Sequence, residues 1–268
     1  MILRVLSPTH IGSGGGLTEI DYVYIHTNGK VRVIDYERAW REDSRIRERI
    51  EKEVFNPREA SNYYKYELKA FCKPKGKILE HIKVLGKPYI PGSSLKGAIR
   101  TAILWKYLKD KSLKVKSRGE LKKFEQELFA SNKRDLMSLL VVRDSKPVSI
   151  ENLGVYETTV LSEKSDRGRL SLKEKKFRIY TESLKPGTKL EIDLVAKSKN
   201  LENWKDVLAE FTRHVVSIER EFFEKRDDGK LSEILKFIDE IEKRLDSGKV
   251  VFRLGFSTGW LWKTIGSL

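Results

Sequence analysis

Three short segments hold residue types suited to gripping an anion. The first is Ser7-Pro8-Thr9-His10-Ile11-Gly12-Ser13-Gly14-Gly15-Gly16. A backbone so poor in side chains after a strand presents N–H groups to a phosphate. No Gly-Lys-Ser/Thr follows, so it is not a P-loop, and no helix opens behind it as a dinucleotide fingerprint requires. The competing reading is a flexible linker. His10 is its one side chain able to exchange a proton near neutral pH. With no second histidine nearby in sequence, a ligand contact or structural hydrogen bond ranks ahead of catalysis.

The second segment is Pro88-Tyr89-Ile90-Pro91-Gly92-Ser93-Ser94-Leu95-Lys96-Gly97-Ala98-Ile99-Arg100. Pro91-Gly92 forms a turn, and Ser93 or Ser94 serves as N-cap of a helix whose Leu95, Ile99, Ala102 and Ile103 recur at helical spacing. Free N–H groups and the positive dipole end lie at such a start. Lys96 and Arg100, four apart, share a helix face. This predicts an anion-binding corner. Gly97 costs the helix about 1 kcal/mol relative to Ala, so it is expected where another backbone approaches closely.

The third segment is Gly255-Phe256-Ser257-Thr258-Gly259-Trp260-Leu261-Trp262-Lys263-Thr264. Aromatic and basic residues bracketed by glycine suit a single nucleic-acid strand, where one stacked base contributes about 1–3 kcal/mol. One of Trp260 and Trp262 is expected to be a core residue instead.

Composition supports a nucleic-acid partner. The chain has 268 residues, 54 Lys and Arg against 39 Asp and Glu, and a formal net charge of +15. A folded protein with this surplus needs an anionic partner. Abundant Lys and Glu with a single glutamine, Gln126, also fit a thermophile's surface, but such surfaces are usually near charge balance. Two basic runs stand out. Residues 106–123 hold eight Lys or Arg against Asp110 and Glu120, and residues 164–178 hold seven against Asp166 and Glu174. Both are expected as solvated loops or mobile arms over a nucleic-acid backbone.

Other classes are excluded. No stretch approaches the roughly 18 apolar residues of a membrane-spanning helix. Eleven Phe, ten Tyr and five Trp are too many for a disordered polybasic tail. Cys72 is the only cysteine, so no intrachain disulfide and no cysteine zinc cage is possible. No cofactor and no metal site is expected. The apolar start Met1–Leu6 stops at Ser7-Pro8, too short for a signal peptide, and predicts a first strand in a cytoplasmic protein.

The elements positioning these segments are mixed. Residues 19–25 and 31–34 form a hairpin around Asn28-Gly29. A helix is expected over 37–52, and strands over 78–84, 138–143, 153–161, 176–181, 189–196 and 250–254. Two amphipathic helices follow residue 203, the first burying Trp204, Leu208, Phe211 and Val215. Without regular βα alternation, the class is α+β.

Together, Ser7–Gly14, Ile90–Arg100 and Gly255–Trp260 resemble the CRISPR-associated RAMP superfamily, over nearly the whole chain. The resemblance implies ferredoxin-like (RRM-like) α+β modules, with antiparallel sheets, helices packed on one face and glycine-rich loops. The expected division is 1–150, with helical and basic insertions, and 151–268, a partly degenerate second module ending in the third segment. Within the family the pattern looks most like the subunit capping a type III-A (Csm) effector complex at the 3′ part of the CRISPR RNA, where it supports guide maturation.

That implies a non-catalytic RNA-binding subunit whose partners are CRISPR RNA, the other Csm and RAMP-type subunits and, through the basic runs, host nucleases. Its expected RNA contacts are His10, Gly12, Ser13, Gly14, Ser93, Ser94, Lys96, Arg100, Gly255, Phe256, Ser257, Thr258, Gly259, Trp260 and Lys263. Two nucleases of the superfamily are the alternatives. A target-cleaving backbone subunit would use Asp21, but Tyr89 lies 68 positions beyond it, too far for that pattern, and Asp21 is expected within a strand. A repeat-cleaving enzyme would use His10 but normally lacks the Ile90–Gly97 element.

Overall fold

The computed structural model describes residues 1–130, 135–166, 169–226 and 231–265, with the side chains of 164–166 and 169–170 excepted. In chain order the first half runs β1 (Ile2–Arg4), β2 (Gly12–Leu17), β3 (Tyr22–Ile25), β4 (Lys30–Ile34), α1 (Tyr36–Glu42), α2 (Ser44–Glu51), β5 (Tyr64–Ala70), β6 (Ile78–His81), β7 (Lys83–Val84), β8 (Lys87–Pro88), α3 (Gly92–Asp110), α4 (Arg118–Phe129) and β9 (Leu140–Val142). The second half runs β10 (Leu153–Asp166), β11 (Arg169–Leu184), β12 (Lys189–Glu191), β13 (Leu194–Ala196), α5 (Trp204–Glu224), α6 (Leu231–Asp246) and α7 (Gly259–Lys263). The class is α+β. None of the helices, among the described residues, is long and apolar enough to cross a membrane.

Seven strands form one sheet in the order β2-β6-β11-β10-β5-β4-β3. The sheet is mixed rather than wholly antiparallel, because β10 runs parallel to β5 and β11 parallel to β6. Strands from either side of the expected boundary at 150/151 therefore interleave in a single sheet. Alternation along β3 and β4 explains the packing. Tyr22, Val31 and Val33 face a core shared with Leu68, Ile78 and Leu184, while Val23 and Ile34 face a small core under α1 and α2. The largest core is helical, with Leu95, Ile99 and Trp105 of α3 against Leu208, Phe211 and Val215 of α5 and Ile238 and Ile241 of α6. Each such residue contributes roughly 1.5–3 kcal/mol by burial.

Several sequence expectations change. The glycine segment is not a loop, since Gly12–Leu17 is an edge strand paired with β6. Its register jumps between Gly12 opposite His81 and Gly16 opposite Leu79, a bulge that leaves the intervening backbone unpaired. The helix over 37–52 breaks at Asp43, whose carboxylate caps the second piece through the N–H groups of Arg45 and Ile46. Asp21 lies in the turn before β3 rather than in a strand, accepting from the N–H and hydroxyl of Thr18. Residues 250–254 form no strand and pair with none among the described residues. They are held by helix contacts, such as Thr212 Oγ1 donating to the Val251 carbonyl at 2.6 Å.

The basic runs are more ordered than expected. The first spans the end of α3 and the start of α4, and Lys106, Lys109 and Lys111 pair with Glu210 and Glu127. In the second, β11 carries residues from Arg169 onward in a long hairpin with β10, while residues 167–168 and the side chains of 164–170 lie outside the described residues.

Candidate nucleic-acid interface

The amino-terminal segment is clamped beside the end of β11 by reciprocal backbone hydrogen bonds between Thr9 and Leu184. This seats His10 over Glu182. The ring Nδ1 lies 2.7 Å from the Glu182 carbonyl oxygen, which can only accept, so Nδ1 carries the proton. A second histidine that local sequence could not bring near stands beside it, with the His81 ring centroid 5.9 Å away. His81 Nδ1 accepts the N–H of Ile11 at 3.2 Å, and its Nε2 donates to the Tyr89 carbonyl at 3.3 Å. The two rings are thus opposite tautomers.

Burial lowers the pKa of both. His10 is held below its ordinary value by loss of hydration, and His81 is pushed down to about 3 by burial, with His10 and then Lys83 adding to it. Beneath them Glu182 is fully buried. Its carboxylate is satisfied by the Tyr66 hydroxyl at 2.7 Å, the His81 backbone N–H at 3.0 Å and the Lys83 ammonium. A buried charge survives only with such partners. Burial, then Glu182, raises the Tyr66 phenol above its ordinary value.

The second segment is anchored differently from expectation. Pro91, not Ser93 or Ser94, occupies the N-cap position of α3 and offers no capping side chain. Asp144 takes that role by accepting the Gly92 N–H at 2.8 Å, and Ser94 N–H returns to the Pro91 carbonyl. Protein groups thus already hold two of the amides expected to receive an anion. The glycine of close approach is Gly92, where a Cβ would sit 2.4 Å from the Val142 carbonyl oxygen. At Gly97 a Cβ would meet nothing within 4 Å.

The third segment closes over the first. Phe256 N–H donates to the His10 carbonyl at 2.8 Å, and the Phe256 ring meets the His10 imidazole edge-on at 5.8 Å. Gly255 has φ +92°, and a Cβ there would lie 2.2 Å from the same carbonyl oxygen. Thr258 Oγ1 donates to the Gly255 carbonyl at 3.2 Å. Arg253 is held by two 2.8 Å hydrogen bonds to Glu219, which also accepts the indole N–H of Trp262.

The three segments enclose one cleft of about 600 Å³. His10, Gly12, Gly14, Ser94, Gly255, Phe256, Thr258 and Lys263 line it, with Gly97, Thr101 and Arg253 added from outside the expected set. No carboxylate side chain is among its lining residues. Ser13 sits exposed on β2, its hydroxyl accepting the Gly15 N–H. Ser93 is exposed and Lys96 half-buried, both outside the lining. Arg100 turns elsewhere, stacking on Phe129 at 3.9 Å and pairing with Glu125 and Asp135 at 3.7 Å. Ser257 borders a neighbouring cavity of about 860 Å³ that shares His10, Arg253 and Phe256. Gly259 starts α7 away from the cleft wall, and Trp260 is 65% exposed whereas Trp262 is 6% exposed. Arg253 had only its position two residues before Gly255 to mark it. Nothing in the local sequence marked His81, Glu182 or Asp144.

Comparison with known proteins agrees with the fold. The family model described as RAMP superfamily matches residues 2–261. A 116-residue segment, 41% of this chain, is 34% identical to the CRISPR system Cms protein Csm5 of Streptococcus thermophilus, and it spans 31% of that relative's length. Among solved structures, a chain of a Csm–crRNA–target RNA ternary complex of the type III-A CRISPR-Cas system superposes with a TM-score of 0.73 at 24% identity, covering 99% of this chain and 86% of that one. The crystal structure of T. onnurineus Csm5 superposes with a TM-score of 0.70 at 26% identity, covering 99% and 92%.

Proposed function

The chain belongs to the RAMP superfamily, and on that premise we propose that it is the CRISPR-RNA-binding subunit at the 3′ end of a cytoplasmic type III-A effector, equivalent to Csm5. One observation carries the reading: segments from the two ends and the middle of the chain meet at one glycine-lined cleft. The backbone of β2 around Gly14, where a Cβ would meet nothing within 4 Å, offers N–H groups to phosphates, Lys263 adds charge, and Phe256 offers an apolar ring. Spread over the rest of the surface, the net charge of +15 contributes sequence-independent attraction. The likeness to Csm5 and to a Csm complex supports the assignment of partners, namely CRISPR RNA and neighbouring Csm subunits. Cleavage is the weaker reading, because His10 is a neutral, buried imidazole with no carboxylate beside it in the cleft.

The test is guide-RNA affinity over a range of salt for the wild type and the Lys96→Glu/Lys263→Glu double variant. Removing two phosphate contacts should weaken binding and reduce the slope of log K against log salt by about 0.7 per contact. An unchanged slope and affinity would remove both the Lys263 end of the cleft and the Lys96 face of α3, which lies outside the cleft lining, from the RNA path. Arg100→Glu should change the slope less, since Glu125 and Asp135 already neutralise that guanidinium.

A further inference from the structure

The cleft contains a hydrogen-bond acceptor with nothing to accept. His10 Nδ1 holds the ring's single proton against the Glu182 carbonyl, so Nε2 is a bare lone pair in the neutral imidazole. No partner reaches Nε2 among the described residues, and it is not sealed from solvent with the buried unpaired atoms Trp105 Nε1 and Arg226 Nε. A Cβ at position 12 would stand 3.2 Å from Nε2. Glycine there leaves the nitrogen open to the cleft that both residues line.

A lone pair fixed in this way selects for a donor and against an acceptor. Phosphate oxygens, ester oxygens and base carbonyls all present lone pairs and would repel it. His10 lies in the same segment as the open backbone of β2, so the group it meets belongs to the sugar–phosphate backbone that this segment tracks. Between the ends of that backbone only the ribose 2′-hydroxyl can donate, and DNA has none. Resting on the RNA-binding reading above, we infer that His10 Nε2 accepts a hydrogen bond from one ribose 2′-hydroxyl and makes this cleft selective for RNA over DNA. The ring is held in register by Glu182, His81 and Phe256, so the acceptor is preorganised.

The test uses the full chain and a guide-length RNA bearing a single 2′-deoxy nucleotide at each position in turn. At one position the wild type should lose about threefold to tenfold in affinity, the range of one net hydrogen bond. His10→Asn keeps a donor for the Glu182 carbonyl but removes Nε2, and should bind the ribose and deoxyribose forms of that position equally. His10→Gln returns an acceptor near Nε2 and should restore part of the discrimination. Should the Asn variant melt far below the wild type, Gly12→Ala keeps the imidazole while crowding Nε2, and the same loss of discrimination is expected. The inference is overturned if the wild type binds RNA but no position shows a 2′-deoxy penalty that these variants abolish. If the wild type shows no salt-dependent RNA affinity, the RNA-binding reading falls first and this inference with it.

Discussion

The backbone N–H of Phe256 donates to the carbonyl of His10 at 2.8 Å, tying the last glycine segment of the chain to the first. The join works because Gly255 brings its α-carbon against the same carbonyl in a left-handed conformation. Gly255→Ala adds a methyl 2.2 Å from that oxygen. Strain at positive φ and backbone overlap should together destabilise the protein by about 2–4 kcal/mol. Urea unfolding measures this, and a variant as stable as the wild type would show that the strap does not depend on the contact.

Gly97→Ala should act in the opposite direction. The added Cβ meets nothing within 4 Å, and a mid-helix Gly to Ala exchange stabilises a helix by about 1 kcal/mol. Gly97 also lines the cleft, so the methyl should narrow it. The expected result is a higher melting temperature with weaker guide-RNA binding. Tighter binding would place the RNA elsewhere.

The two tryptophans near the carboxyl end should separate cleanly. Trp260 is 65% exposed, and its replacement by Ala should leave stability unchanged while reducing RNA affinity if a base stacks on it, by about 1–3 kcal/mol. Trp262 is buried, donates to Glu219 and lies 5.1 Å from the Arg253 guanidinium. Trp262→Ala should destabilise the fold by about 3–5 kcal/mol. Thermal melts combined with binding isotherms distinguish the two behaviours.

Acid should destabilise the protein through the buried histidines. His81 falls from its ordinary 6.5 to about 3 in the folded state. Above about pH 6.5 neither folded nor unfolded chain protonates it, and its full contribution is present. Between 6.5 and 3 the unfolded chain binds a proton that the folded chain refuses, so stability falls as pH falls, by about 1.4 kcal/mol per pH unit. His10 is lowered in the same direction. Unfolding free energy should therefore drop by at least about 2 kcal/mol more between pH 7 and 4.5 in the wild type than in His81→Asn, which keeps an acceptor for the Ile11 N–H. Equal pH profiles would contradict a neutral, buried His81.

Much of the local structure was legible in the sequence. Asn28-Gly29 places its hairpin because positive φ is needed at the turn, and glycine supplies it at φ +63°. Apolar spacing along 204–215 marks the buried face of α5 because helical periodicity is a property of neighbouring turns. The three glycine-rich segments and the choice of one tryptophan as core were legible too, since residue type needs no fold to be counted.

The tertiary structure decided what depends on residues far apart in the chain. Gly12–Leu17 becomes a strand only because β6 lies beside it, and no local propensity of glycine would select that. Gly92 rather than Gly97 is the tight position because the carbonyl it meets belongs to Val142. Arg100 leaves the cleft because Phe129, Glu125 and Asp135 offer stacking and charge on another side. The His10 tautomer depends on a carbonyl of β11. Hydrogen bonding and burial act through space, so the sequence by itself determined which groups were available, and only the folded chain decided which of them face the cleft.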